Sequence, residues 1–192
     1  MNITRQFYDT HAKEYFDSTL GVDTSLIRER FLKYVPSGSR IMDLGCGSGR
    51  DSKAFLNMGY KVSAIDDSEE LCKLARKYTG INVECADFMS LYIDQKYDAI
   101  WACASLLHVP YAQLPDIINK MKEAIVDNGL IYCSFKSGDF EGERDGRYYT
   151  DMTSDRFSNL LVNGLKIVEE WYSEDVMKNR TNTWYNVILR KE

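Results

Sequence analysis

Proline and histidine are scarce in this chain of 192 residues, which has three of the first and two of the second. With only His11 and His108 available, a zinc site would lack its commonest ligand set, and no metal is expected. The five cysteines (Cys46, Cys72, Cys85, Cys103 and Cys133) are an odd number spaced 13 or more residues apart, with no CxxC pair. That pattern excludes a disulfide framework and reads as reduced thiols in a cytosol, packed as small hydrophobes. No apolar run approaches the roughly 18 residues of a membrane span. The opening MNITRQFYDTHAKEYF lacks an apolar signal core, so nothing marks export and a cytoplasmic location is expected. Basic charge is also in short supply, with a net charge of -5, which gives no footprint for a phosphate backbone. Small-molecule or protein substrates suit that balance better than nucleic acid.

What is present is an alternation. Short apolar runs at residues 40–44, 61–65, 82–85, 99–103 and 130–135 are separated by segments of helical period at 51–57, 69–78 and 111–126. Such βα repetition implies an α/β fold with a mostly parallel sheet covered by helices on both faces. The third helix is expected to stop at Asp127-Asn128-Gly129. Residues 137–150, SGDFEGERDGRYYT, read as a polar loop, and a helix at 154–163 follows. Two extended stretches, 166–172 and 183–190, flank the charged turn SEDVMKNR and read as an antiparallel hairpin closing the sheet. One domain is expected: an N-terminal helical lid at 1–38, a ligand-binding core at 39–136, and a substrate loop with the hairpin at 137–192.

The stretch "IMDLGCGSGRDS", residues 41–52, places three glycines directly behind an apolar strand and before a helix. Backbone N–H groups and the positive end of the helix converge there on whatever fills the crevice. A dinucleotide fingerprint, GxGxxG, would need a third glycine where Arg50 stands. Asp43, two positions before the first glycine, suits a ligand with an ammonium group and would be out of place beside a pyrophosphate. The next strand ends at Asp66, where a carboxylate can accept from both ribose hydroxyls. Asp67 and Ser68 follow at the start of the next helix, in positions that suit a cap. Asp43, Asp66 and Asp87 are 23 and 21 residues apart, one βα unit each, so they reach the same edge of the sheet.

These motifs resemble those of the class I S-adenosylmethionine (SAM) dependent methyltransferases, whose fold is a Rossmann-like α/β/α sandwich with a seven-stranded sheet. The resemblance implies that Asp43 orients the SAM ammonium, while the backbone of Gly45, Cys46 and Gly47 borders the methionyl part. It implies that Asp66 binds the ribose. In ECADFMS, it implies that Asp87 accepts from the adenine amino group and Phe88 offers its backbone N–H. Arg50, in the family's variable position, and Asp67 are counted with the cofactor-binding residues. YDAIWACASLLHVP is similar to the family's fourth motif, which makes Cys103 part of the wall of the methyl-donor channel. YDTHAKEY resembles a lid segment, which adds Tyr15 as a cofactor contact and Tyr8 as a lid residue.

His108 is the candidate catalytic base, since imidazole titrates near neutrality and can take a proton from a hydroxyl, thiol or amine. A histidine packing the Val109-Pro110 turn is the plainer reading. Lys136, Arg144 and Arg147 are placed to hold an anionic group on the acceptor, and Tyr148 and Tyr149 an apolar one; salt bridges to neighbouring acids would equally account for the cations. Trp171, Arg180, Trp184 and Asn186 come from the hairpin. The expected activity is in-line transfer of a methyl group from SAM to a small molecule, leaving S-adenosylhomocysteine, by a monomer or homodimer with no nucleic acid or membrane partner. A SAM-binding protein without transferase activity, or an enzyme acting on protein or RNA, is the alternative.

Overall fold

The computed structural model describes residues 2–88, 96–177 and 180–192. The last two residues of ECADFMS and two of SEDVMKNR lie outside them. The chain opens with helices α1 (Ile3–Thr10), α2 (Ala12–Leu20) and α3 (Ser25–Leu32), followed by β1 (Arg40–Leu44), α4 (Arg50–Asn57), β2 (Lys61–Asp66), α5 (Glu69–Thr79), β3 (Val83–Cys85) and β4 (Tyr97–Ala102). After 3₁₀ turns at Leu106–His108 and Tyr111–Gln113 come α6 (Leu114–Ala124), β5 (Ile125–Lys136), β6 (Glu141–Arg144), β7 (Arg147–Thr150), α7 (Ser154–Ser158), β8 (Leu165–Glu174) and β9 (Thr183–Lys191). No helix among the described residues is long and apolar enough to cross a membrane.

Seven strands form one sheet in the order β3-β2-β1-β4-β5-β9-β8, with β9 antiparallel to both neighbours and the other pairs parallel. This is the Rossmann-like α/β architecture expected of the sequence. The strand order reverses between β1 and β4, so the chains leaving these two strands diverge and open a crevice beyond their C-terminal ends.

Both sheet faces are buried, and period-two alternation sorts the side chains. Ile100, Ala102, Ile131, Cys133 and Phe135 pack toward α6 and α7. Ile41, Trp101 and Tyr132 pack with Phe31 of α3 and Phe55 of α4, and the Trp101 and Tyr132 rings stack at 4.2 Å. Each such side chain contributes about 1.5–3 kcal/mol on burial. This aromatic layer fixes α3 and α4 against the strands whose ends build the crevice.

Three elements differ from the sequence expectation. The helix expected at 111–126 begins as a 3₁₀ turn and ends at Ala124, because Ile125 already pairs with Tyr97 in the sheet. Between the pairs Tyr97↔Ile125 and Ala99↔Leu130 the β5 side carries extra residues, and Asn128 at φ 63° and Gly129 sit in that bulge. The supposed helix stop is a strand irregularity. Most of residues 137–150 forms a second, two-stranded sheet, β6 against β7, turned at Asp145 and Gly146, whose φ values of 52° and 74° fit a type I′ hairpin. The helix expected at 154–163 is confined to Ser154–Ser158.

Candidate functional site

The loop from β1 to α4 is built on positive φ: 79° at Gly45, 54° at Gly47 and 77° at Gly49. Two of these glycines are required by contacts as well. A Cβ on Gly45 would lie 2.4 Å from Ser105 Cβ and 3.1 Å from Phe88 Cζ. On Gly49 it would meet Thr79 Cγ2 at 2.7 Å and block the close approach of α4 to α5. The N–H groups of Gly45 and Cys46 both donate to Ile65 O at 2.9 Å, which ties the loop to the end of β2.

Asp66 completes the loop. Its Oδ2 accepts from Gly47 N–H at 2.8 Å and its Oδ1 from Ser68 N–H at 3.0 Å. Burial, reinforced by Asp67 and Asp9, pushes its carboxyl up to about 6 despite those two bonds. Ser68 caps α5 through Leu71 N–H and donates to Asp9 of α1 at 2.7 Å. Asp67 faces Arg5 at 3.6 Å. Helix α1 and the end of β2 are thereby joined.

A cavity of about 740 Å³ lies beyond these groups. Its walls take in Gly45, Gly47, Asp66, Asp67, Asp87 and Phe88 from the sheet edge, Tyr8 of α1 and Tyr15 of α2, and Ser105 and His108 from the β4 exit. The size is that of a small-molecule site. Ser105 Oγ is buried with no hydrogen-bond partner, so this wall holds a hydroxyl that a ligand could satisfy. Nothing in the sequence singles Ser105 out; only the fold sets it against Gly45.

Asp43 is placed differently from what was expected of it. It is 2% exposed, does not line the cavity, and accepts from Ser52 Oγ of α4 at 2.5 Å. Burial and the neighbouring Asp51 raise it to about 7. Cys46 turns away toward the small cluster of Ala64, Cys72, Ala75 and Val83.

Arg50 and Cys103 line a second, smaller cavity of about 120 Å³, together with Ser134, Arg180, Trp184 and Asn186. Tyr15 and Ala104 are common to both cavities. Arg50 is fixed by Asp51, with its Nη2 at 2.7 Å and Nε at 3.3 Å. Asp51 also accepts from Arg28 Nη1 and Thr24 Oγ1, each at 2.7 Å, and from Trp101 Nε1 at 3.3 Å. These cations and donors hold the Asp51 carboxyl down to about 2 against the cost of burial.

Two tyrosines close the first cavity. Tyr15 stands over Gly47, where a Cβ would be 3.2 Å from its ring, and packs edge-on against Tyr8 with centroids 5.0 Å apart. Tyr8 OH lies 2.9 Å from His108 Nε2, while His108 Nδ1 lies 2.6 Å from the Tyr148 carbonyl oxygen. A carbonyl only accepts, so Nδ1 carries the proton and Nε2 accepts from Tyr8. Burial, with help from Arg147 and Lys136, lowers the imidazole to about 4. His108 is therefore neutral near pH 7, and both of its nitrogens are engaged.

Of the loop cations expected to meet an acceptor, Arg144 is paired bidentately with Asp151 at 3.0 and 2.7 Å. Lys136, Arg144 and Arg147 all approach the Tyr149 ring. Tyr148 donates to Glu141 at 2.8 Å. Trp171 stacks on Tyr132.

Residues 41–129 match the family model described as a methyltransferase domain. A ubiquinone biosynthesis O-methyltransferase of Coxiella burnetii is 30% identical over 150 residues, covering 72% of this chain and 62% of that protein. An uncharacterized methyltransferase of Staphylococcus carnosus is 25% identical over 134 residues, 66% of this chain and 64% of its own. The chain thus spans less than two thirds of these curated relatives. Among solved structures, the 1,6-didemethyltoxoflavin-N1-methyltransferase of Burkholderia thailandensis, crystallised with 1,6-didemethyltoxoflavin and S-adenosylhomocysteine, superposes with a TM-score of 0.76 at 18% identity, covering 98% of this chain and 87% of that one.

Proposed function

We propose that this chain is a class I S-adenosylmethionine-dependent methyltransferase that moves a methyl group from SAM to a small-molecule acceptor, a reading supported by the methyltransferase-domain match over residues 41–129 and by the fold. The observation that carries the reading is the convergence on one 740 Å³ cavity of a bare glycine loop, the strand-end acids Asp66 and Asp87, and the orphaned hydroxyl of Ser105. These groups fit an amino acid joined to an adenosine. Gly45 and Gly47, packed under Ser105, Phe88 and Tyr15, line the cavity with bare backbone along which the methionyl part lies. The Asp66 carboxylate keeps lone pairs free for two ribose hydroxyls. Asp87 and Phe88 take the adenine.

Asp43 works from behind the loop, holding Ser52 and the first turn of α4. Bound SAM supplies a methyl group already activated on a sulfonium, so the protein's work is alignment and exclusion of water. Tyr8 and Tyr15 close the cavity, and Tyr15 and Ala104, which line both cavities, mark where the acceptor presents its nucleophile. Arg50 and Cys103 belong to the acceptor side. A proton leaving the acceptor reaches His108 Nε2 only by way of the Tyr8 hydroxyl, so His108 acts through Tyr8. Two small cavities and an acidic surface favour a small molecule over RNA, and five free cysteines suit the reducing cytoplasm.

The test is transfer of radiolabel from methyl-labelled SAM into a small-molecule metabolite extract. Label in a discrete low-molecular-weight product, lost in Asp66→Ala, is the expected result. Cofactor binding with no label transferred to any fraction would leave a SAM-binding protein without transferase activity.

A further inference from the structure

The ring of Tyr149 on β7 is crowded by cations. Lys136 Nζ, at the end of β5, lies 4.4 Å from its centroid, the Arg144 guanidinium 4.5 Å and that of Arg147 5.3 Å. Arg180 is close enough for its charge to act on both Lys136 and Tyr149. The acids facing this cluster are Asp151, already taken bidentately by Arg144, and Asp145 in the hairpin turn. Among the described residues neither Lys136 nor Arg147 has an ion pair. Arg147 instead stacks on Phe7 at 4.4 Å, and its Nε is buried without a hydrogen-bond partner.

A tyrosine face eases the crowding of cations but does not neutralise it. Like charges held this close repel, and the repulsion shows in Lys136, whose ammonium is pushed below its ordinary range by burial and then by Arg144 and Arg147. Arg144 is matched by Asp151, but the charges of Lys136 and Arg147 meet aromatic faces, which suits something that arrives with negative charge. The cluster's position indicates what that is. Arg147 adjoins Tyr8 at the wall of the first cavity, and Arg180 lines the second. Lys136 pairs in register with Trp184, another residue lining the second cavity, which is also lined by the acids Glu174 and Asp175.

We infer that the methyl acceptor carries a carboxylate or phosphate group, which Lys136 and Arg147 hold over Tyr149 with Arg180 alongside, leaving the nucleophilic end toward Tyr15 and Ala104. The word acceptor rests on the methyl-transfer reading; the anion site itself does not.

Thermal melts of the full chain at constant ionic strength, with and without S-adenosylhomocysteine, test this. The probes are inorganic phosphate, phenyl phosphate, benzoate and uncharged benzamide. Inorganic phosphate, together with phenyl phosphate or benzoate, raises the melting temperature by a few degrees over chloride while benzamide does not. Whichever of phenyl phosphate and benzoate acts at lower concentration identifies the group. Lys136→Met keeps the apolar stem over Tyr149, and it weakens the anion response about tenfold, the value of one charge-assisted hydrogen bond. Lys136→Arg restores the response, and affinity for S-adenosylhomocysteine changes less than about twofold in either variant. Equal responses to benzoate and benzamide, no response beyond chloride, or an undiminished response in Lys136→Met overturns the inference. An anion response in a protein that does not bind S-adenosylhomocysteine removes the methyl-transfer reading and leaves the anion site in place.

Discussion

Replacing Asp66 with asparagine separates a ligand contact from a structural one. The carboxylate already accepts from Gly47 and Ser68 N–H, one bond per oxygen, and each oxygen retains a lone pair. Two ribose hydroxyls donating to an ionised acceptor are worth about 1.5–3 kcal/mol each. The amide keeps one acceptor oxygen and no charge, so roughly 2–3 kcal/mol is lost. At about 1.4 kcal/mol per decade this is a 30- to 100-fold weaker complex. Stability of the free protein moves otherwise. Burial raises Asp66 from the ordinary 3.8 to about 6, so its stabilising contribution is fully present below pH 3.8 and is lost as pH rises through 6. At pH 8 the ionised group is a cost that asparagine removes, offsetting the one N–H···O hydrogen bond lost where the amide NH2 replaces an oxygen. The free variant should melt near or above wild type at pH 8 while binding S-adenosylhomocysteine 30-fold or more weakly, by calorimetry. In wild type the affinity should also fall about tenfold per unit below pH 6, and less steeply in the variant. Affinity within about threefold of wild type at pH 8 would refute the ribose assignment.

Gly45→Ala places a methyl group 2.4 Å from Ser105 Cβ at φ 79°, a strain of about 1–2 kcal/mol before the clash is counted; calorimetry should show cofactor binding lost and melting lowered, and an unchanged melt would contradict the packing. Asp51→Ala leaves the buried Arg28 and Arg50 without their carboxylate and should cost about 3–5 kcal/mol, a fall of at least about 6 °C in circular dichroism melts. Because Asp51 is held down to about 2, its stabilisation is present above pH 3.8 and is lost as pH falls through 2, so the penalty of Asp51→Ala should shrink in that window. NMR titration of the His108 ring should show a midpoint near 4, and a midpoint at the ordinary 6.5 would restore it as a free base.

The convergence of Asp66 and Asp87 on one cavity is legible in the sequence because one βα unit separates them, whereas Asp43, one unit earlier, is turned behind the loop to Ser52. The strands from 40–44 through 99–103 lie within about two residues of where the apolar runs put them, since continuous burial on both faces leaves a strong signal. The second cavity is less legible. Arg50 and Cys103 look like cofactor contacts in a linear motif, yet Asp51 holds Arg50 toward the second cavity and is itself held by Arg28, 23 residues earlier on another helix. His108 takes its two partners from Tyr8 and Tyr148, 100 and 40 residues away, and pairing at that range leaves no local trace. The β6–β7 hairpin had its signal in Asp145-Gly146, but six charges in 137–150 obscured the alternation on either side. The helix stop at Asp127-Asn128-Gly129 was sound local chemistry overridden by the pairing of β5 with β4.

The most direct test of the central claim is a crystal structure of the chain with S-adenosylhomocysteine. The account predicts the homocysteine moiety along Gly45 to Gly47, the ribose on Asp66, the adenine between Asp87 and Phe88, and the sulfur facing Tyr15 and Ala104. Ligand density in the second cavity or elsewhere, with the glycine loop and Asp66 uncontacted, would contradict it.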